Sequence, residues 1–120
     1  MQEQMSTNPD CLFCKISSGT IPVDLVMETE TAIAFRDIDP KAPTHVLVIP
    51  KDHFADVTEL TQSNPNLAGE LLTLAADVAK LQGLATGYRI VTNTGEDAGQ
   101  SVPHVHFHIL GGRSLSWPPG

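Results

Sequence analysis

The spacing of apolar positions changes along the chain, and each change marks an element. In DLVMETETAIAFRDI (24–38) two short apolar runs flank a polar ETET turn. This predicts a hairpin, with Val26 in the first strand and Ile33 and Phe35 alternating in the second. HVLVIP (45–50) is a β-branched run that Pro50 ends. DHFADVTEL (52–60) opens on an Asp and suits a short helix. In SNPNLAGELLTLAADVAKLQG (63–83), Leu67, Leu71, Leu74, Val78 and Leu81 are spaced by four, three, four and three, so they form one stripe on a long helix. Asn64 can cap that helix, Pro65 suits its first position, and Gly83 suits its stop. GYRIVTNTG (87–95) and VPHVHFHILGG (102–112) read as two more strands around a polar loop, EDAGQS. A connection that short predicts antiparallel pairing. The order predicts an α+β fold: an antiparallel sheet of about five strands, one long helix on a face, and one or two short helices.

Composition adds limits. A chain of 120 residues with 41% hydrophobic and 18% charged residues suits one globular domain, over 10–120, behind a polar tail at 1–9. No apolar run reaches the length of a membrane span. The start, MQEQMSTNPD, has no basic-then-apolar pattern, which places the chain in the cytoplasm by default. A net charge of −7 with only seven scattered Lys and Arg argues against a nucleic-acid polymer as partner. A small phosphate ester is still compatible, because backbone N–H groups and imidazoles can hold it.

Two sequence features point to chemistry. The cysteines, Cys11 and Cys14, stand as CLFC, a spacing that in a cytosolic chain suggests metal or redox chemistry before a structural disulfide. Nothing strand-like precedes Cys11, which weakens the redox alternative relative to metal binding or inert buried thiols. The second feature is PHVHFHIL (103–110), with His104, His106 and His108 at alternate positions. In a strand they share one face, roughly 6.6 Å apart at a rise of about 3.3 Å per residue. Val105, Phe107 and Ile109 then face the helix. A solvated face, a three-His metal site and nucleophilic catalysis all remain open. Outer imidazoles on a flat strand converge poorly, which favours catalysis by one of them.

HVHFHI matches the alternating signature of the histidine triad (HIT) family, and the chain resembles the Hint branch of that family. The resemblance also rests on GQSVPHVHFHILGGR, FRDIDPKAPTHVLVIPK and the terminal WPPG, and runs from about Asp10 to Gly120. It implies the HIT-like fold, and a homodimer with a sheet continuous across a two-fold axis. It further implies that His106 is a nucleophile attacking the α-phosphorus of a nucleotide, with a nearby backbone carbonyl fixing its tautomer. His108 and His45 would lie by the phosphate, and Ser101 would assist the leaving group. Asn93, Gln100, Ser101 and His108 would contact phosphate, with the backbone N–H groups of GQSV as a nest. Asp37 would take the ribose hydroxyls. Leu12, Phe13, Ile16, Phe35 and Ile38 would line an apolar base pocket that suits a purine.

The cysteine pair departs from the best-known animal Hint proteins. Other members of the wider family carry it and bind zinc. By that likeness the ligands would be Cys11, Cys14, His53 and His104, a complete and therefore structural Cys₂His₂ set. The tail at 114–120 would reach the partner's site in the homodimer, placing Trp117 on the leaving-group side. The activity implied is that of a hydrolase, adenosine 5′-monophosphoramidase-like. It would cleave the P–N bond of purine nucleoside 5′-phosphoramidates through a nucleotidyl-histidine, releasing nucleoside monophosphate and an amine. The alternatives are a dinucleoside polyphosphate hydrolase, a branch that commonly carries Gln where His108 stands, and a nucleotide-binding interaction protein with little catalysis.

Overall fold

The computed structural model describes residues 8–120, so most of the 1–9 tail lies outside the described residues. In chain order come α1 (Leu12–Ser17), β1 (Leu25–Glu28), β2 (Ala32–Arg36), β3 (Thr44–Pro50), α2 (Val57–Ser63), α3 (Pro65–Leu81), β4 (Tyr88–Val91) and β5 (Phe107–Gly111). A single 3₁₀ turn, Glu96–Ala98, lies between the last two strands. The five strands form one antiparallel sheet in the order β1-β2-β3-β5-β4. The predicted α+β architecture is therefore the observed one, with one long helix and two short ones.

Both faces of the sheet are covered, and residue parity decides which side chain goes where. Ala32 and Ala34 of β2, Val46 and Val48 of β3, and Phe107 and Ile109 of β5 pack with Leu67, Leu71, Leu74 and Val78 of α3. The odd positions Ile33, Phe35, Leu47 and Ile49 pack on the other face with Cys11, Phe13, Cys14 and Ile16 of the α1 segment. Burial on both sides explains why AIAF and HVLVI read as near-continuous apolar runs. His45 shares parity with Leu47 and Ile49, so it falls on the α1 face.

The long helix starts and stops as its sequence predicts. The Asn64 side chain accepts from the Leu67 amide, and Pro65 follows. At the other end the Leu84 amide donates to the Ala79 carbonyl and the Gly83 amide to Lys80. Gly83 has φ +74, the left-handed position of a Schellman stop. Among the described residues no helix is long and apolar enough to cross a membrane.

Two local expectations need correction. The short helix after β3 is capped by Asp56, which accepts from the Glu59 amide, and not by Asp52. His53 therefore lies in an irregular segment before the helix. The last strand is shorter than VPHVHFHILGG, and only Phe107–Gly111 joins the ladder. Upstream the backbone bonds elsewhere: His104 N–H donates to Val102, and Val105 N–H donates to Phe54. The alternation of faces survives this change, since Val105 still packs into the α3 cluster while His104 and His106 are buried away from it.

Candidate active site

All five histidines gather on the α1 face or at its edge. His104 and His106 come from the segment entering β5, His108 from β5 itself, His45 from the start of β3, and His53 from the turn after β3. Successive rings touch edge to face: His106 and His108 centroids are 5.0 Å apart, and so are those of His53 and His104. Phe13 of α1 stands edge-on to His106 at 5.0 Å and to His104 at 5.9 Å. The helix that carries the cysteines is thus also a wall of the histidine row.

Main-chain acceptors set the tautomers of the first two triad histidines. His106 Nδ1 lies 2.8 Å from the carbonyl oxygen of His104. A carbonyl only accepts, so Nδ1 carries the proton and Nε2 keeps a lone pair. Thr92 Oγ1 donates to the His106 carbonyl at 2.8 Å, tying this strand entry to the end of β4. Burial lowers the His106 pKa, against the opposing pull of the His104 carbonyl and the Asp37 carboxylate. The neutral, nucleophilic form of His106 is therefore favoured near neutral pH.

His104 faces the other way. Its Nε2 lies 2.9 Å from the Pro50 carbonyl, which leaves the Nδ1 lone pair directed at sulfur. Nδ1 is 3.3 Å from Cys11 Sγ and 3.5 Å from Cys14 Sγ, and His53 Nδ1 is 3.4 Å from Cys14 Sγ. One donor atom from each of these four residues lies within 4.8 Å of every other. Around a tetrahedral zinc with bonds of about 2.3 Å to sulfur and 2.0–2.1 Å to nitrogen, neighbouring donors sit roughly 3.3–3.8 Å apart. The four residues fit such an ion in both chemistry and spacing. The Pro50 carbonyl acts as the outer partner that orients a ligating imidazole. Burial pushes the Cys14 thiol up and the His104 imidazole down to about 4, so both favour their neutral forms.

His45 and His108 form a second pair. His45 Nε2 lies 2.8 Å from His108 Nδ1 and 3.4 Å from Asp37 Oδ2, and the Lys41 amide donates to His45 Nδ1 at 3.0 Å. The other Asp37 oxygen accepts from the Asp39 amide at 2.8 Å. Burial lowers both imidazoles, His108 to about 4.

The remaining candidates are placed unevenly. Phe13, Ile16 and Phe35 are buried in the α1 cluster, while Leu12 is 45% and Ile38 97% exposed, so the latter two supply the open apolar area. Asn93 is half-buried just past β4, and Ser101 is exposed. Gln100 is engaged within the fold. Its Nε2 donates to the carbonyls of Ala55 and Val102, and its Oε1 accepts from the Gly95 amide. In GQSV the amides of Gly99 and Gln100 close the 3₁₀ turn onto Glu96 and Gly95. Among the described residues the Ser101 and Val102 amides make no hydrogen bond, so the nest is half the size its sequence suggests. Trp117 is 82% exposed on the single chain, and Arg89 holds the tail by the Ser116 carbonyl at 2.9 Å. A surface hollow of about 600 Å³ between β4 and the tail is lined by Tyr88, Arg89 and Arg113 and lies away from the histidines. Sequence reasoning missed the polar main-chain groups of Lys41 and Pro50, which have no side-chain signature, and Thr92, whose hydroxyl reads as ordinary strand decoration.

A two-sided α+β sheet bearing a row of buried histidines beside a Cys₂His₂ cluster defines a narrow class of protein. The chain belongs to the HIT family: the HIT domain model matches residues 18–115. It is 50% identical over 111 residues to an uncharacterized HIT-like protein of Synechococcus elongatus, covering 92% of this chain and 97% of that one. A HIT family hydrolase from Legionella pneumophila superposes with a TM-score of 0.89 at 46% identity, over 92% of this chain and 100% of that chain. A histidine triad nucleotide-binding protein from Candida albicans gives 0.79 at 34% identity, over 91% and 83%.

Proposed function

We propose that this protein is a hydrolase of the Hint type, cleaving the P–N bond of purine nucleoside 5′-phosphoramidates through a nucleotidyl-histidine. The observation that carries the reading is the His106 Nδ1–His104 carbonyl bond of 2.8 Å, which leaves Nε2 as a free nucleophile. Nε2 attacks the α-phosphorus, the P–Nε2 bond forms, and the P–N bond to the amine breaks. Positive charge grows on the ring as it attacks, and the Nδ1–H donated to the carbonyl stabilises that charge. The departing amine takes a proton from the site, with Ser101 and His108 as the groups on that side. Water then attacks phosphorus, breaks the P–Nε2 bond and releases the nucleoside monophosphate. Asp37 accepts the ribose hydroxyls, and Leu12 and Ile38 offer apolar area to the base. Hydrolases among the structural relatives support the reaction class.

The Cys₂His₂ cluster would hold a structural zinc. All four positions would be protein ligands, so the ion would add no open coordination site and would serve to fix α1 against the strand entry that carries His106. We also read the protein as a cytoplasmic homodimer, the exposed Trp117 lying toward the partner's leaving-group side.

The deciding experiment follows AMP release from three substrates: an aminoacyl-linked adenosine phosphoramidate, a diadenosine polyphosphate and an adenylyl-sugar. The phosphoramidate should be cleaved fastest, and His106→Ala should cost about 10⁴-fold or more, as loss of a nucleophile does. Equal activity in the variant would remove His106 from the mechanism. Cleavage of the polyphosphate alone would assign the protein to that branch of hydrolases.

A further inference from the structure

We infer that the main-chain amide of Lys41 locks the His45–His108 pair into one neutral tautomer, so that His108 meets the substrate only as a hydrogen-bond donor through Nε2. The inference starts from one donor of fixed polarity. A backbone N–H cannot accept, so His45 Nδ1, 3.0 Å from the Lys41 amide, carries a lone pair. The proton of neutral His45 is then on Nε2. His108 Nδ1, 2.8 Å away, must accept it. The one proton of neutral His108 is therefore on Nε2, at the far side of the ring.

The same geometry excludes a second proton on the pair. Added at His45 Nδ1, it would point at the Lys41 N–H. Added at His108 Nδ1, it would point at the His45 N–H across 2.8 Å. Either way two donors oppose each other. The charges around the pair do not override this. Asp37, Asp39 and Lys41 face His45, while His106, His45 and Asp37 face His108. Asp37 favours a cation, but the Asp39 carboxylate is already held by the Lys41 ammonium at 2.6 Å. Both imidazoles are lowered, in line with a pair that resists protonation. The lock also argues against a divalent ion between Asp37, His45 and His108, three residues close enough to be ligands. An ion on His45 Nε2 would drive the proton to Nδ1, against the Lys41 amide. Lys41 is thus a positioning residue acting through its backbone. The kinetic consequence rests on the hydrolase reading, but the tautomers do not.

The test uses the full-length protein with ¹⁵N-labelled histidine, whose ring nitrogen shifts report the tautomer directly. His45 and His108 should both be the Nε2–H form, and neither should titrate as an ordinary imidazole does. A parent protein with His45 in the Nδ1–H form, or a pair that titrates like a surface histidine near pH 6.5, overturns the inference. Lys41→Pro removes the amide hydrogen, and Lys41→Ala keeps it while removing the ammonium. The acid limb of kcat/KM for phosphoramidate hydrolysis should move up by about one pH unit in Lys41→Pro, toward an ordinary imidazole, and by clearly less in Lys41→Ala, which loses only the ammonium that disfavours a cation on His45. An unmoved limb in folded Lys41→Pro, or an equal shift in Lys41→Ala, also overturns it. Should Lys41→Pro not fold, the parent spectrum alone decides. Should the parent cleave no phosphoramidate, the hydrolase reading fails while the spectrum still judges the lock.

Discussion

The two flanks of His106 are built from the same side chain, yet they present opposite polarity. Toward α1, His104 offers a lone pair at Nδ1 to two cysteines, because its Nε2–H is held by the Pro50 carbonyl. Toward β3, His45 and His108 offer N–H groups, because the Lys41 amide occupies the acceptor nitrogen of His45. An imidazole has one proton to place, and the main-chain group it meets decides where. A carbonyl makes the far nitrogen a ligand or nucleophile, and an amide makes it a donor. One flank is thereby suited to holding a cation, and the other to a phosphate and a leaving amine.

If the flanks differ in this way, a mutation on each should separate activity from stability. The largest effect belongs to the donor flank. His108→Ala should lower kcat/KM for a phosphoramidate by about 10²–10³-fold, the range for losing one hydrogen-bond donor to a charged transition state, and shift Tm by only a few degrees. Steady-state kinetics beside a thermal melt reads both. A loss of activity no larger than threefold would place the phosphate elsewhere.

The metal flank should behave in reverse. Protein purified without added zinc should hold about one zinc per chain by metal analysis, given the four convergent donors. Cys14→Ala should lose that zinc and about 3 kcal/mol of stability, or roughly 10 °C in Tm, with a smaller effect on the turnover of the folded fraction. Zinc content well below one per chain, unchanged by Cys14→Ala, would mean the cysteines are buried apolar residues only.

The contrast between flanks was only partly legible in the sequence. Parity along HVHFHI and HVLVIP gave the shared face correctly, since a buried face leaves a period-two record in side chains. The cysteine spacing was legible because it is carried by side chains, while His53 and His104 joined it only through the family resemblance; the structure places all four close enough to hold a metal. The roles came from the family resemblance, which also implied a carbonyl beside His106; what the residues did not show was the Pro50 carbonyl and the Lys41 amide that orient the flanking rings. Every residue has these groups, so no residue type marks them. The same blindness lengthened the last strand, because Val105 N–H bonds to Phe54 rather than to a neighbouring strand. It also gave Gln100 to a ligand when nearby main-chain groups already engage its amide.

Acid should act on the donor flank in a defined direction. His108 is held at about 4 by burial, below an ordinary imidazole at 6.5. Between those values the unfolded chain binds a proton that the folded chain refuses, so stability falls as pH drops from about 6.5 toward 4. Acid also strips ligands from a Cys₂His₂ site, so the comparison needs a control that keeps the metal flank. His108→Gln is such a control. The gap in unfolding free energy between parent and variant should shrink by the His108 contribution as pH falls through that window. A gap constant across it would mean His108 titrates alike in both states.

The smallest effect should come from the tail, and it extends the comparison to a second chain. Trp117 is 82% exposed on one chain, while Arg89 anchors the preceding backbone at the Ser116 carbonyl. A large ring held out in water by an anchored backbone suits contact with a second copy better than a free end. Deleting 114–120 should leave metal content and the His108 donor untouched, since neither flank draws on those residues. AMP affinity should stay within about threefold, whereas the ratio of rates between a tryptamine-like and a small alkylamine leaving group should change by about five- to tenfold, one aromatic contact being worth about 1 kcal/mol. Sedimentation of both proteins reports whether the dimer survives the cut. An unchanged leaving-group ratio in a truncated protein that still dimerises would remove Trp117 from the site and confine the chemistry to the two flanks of His106.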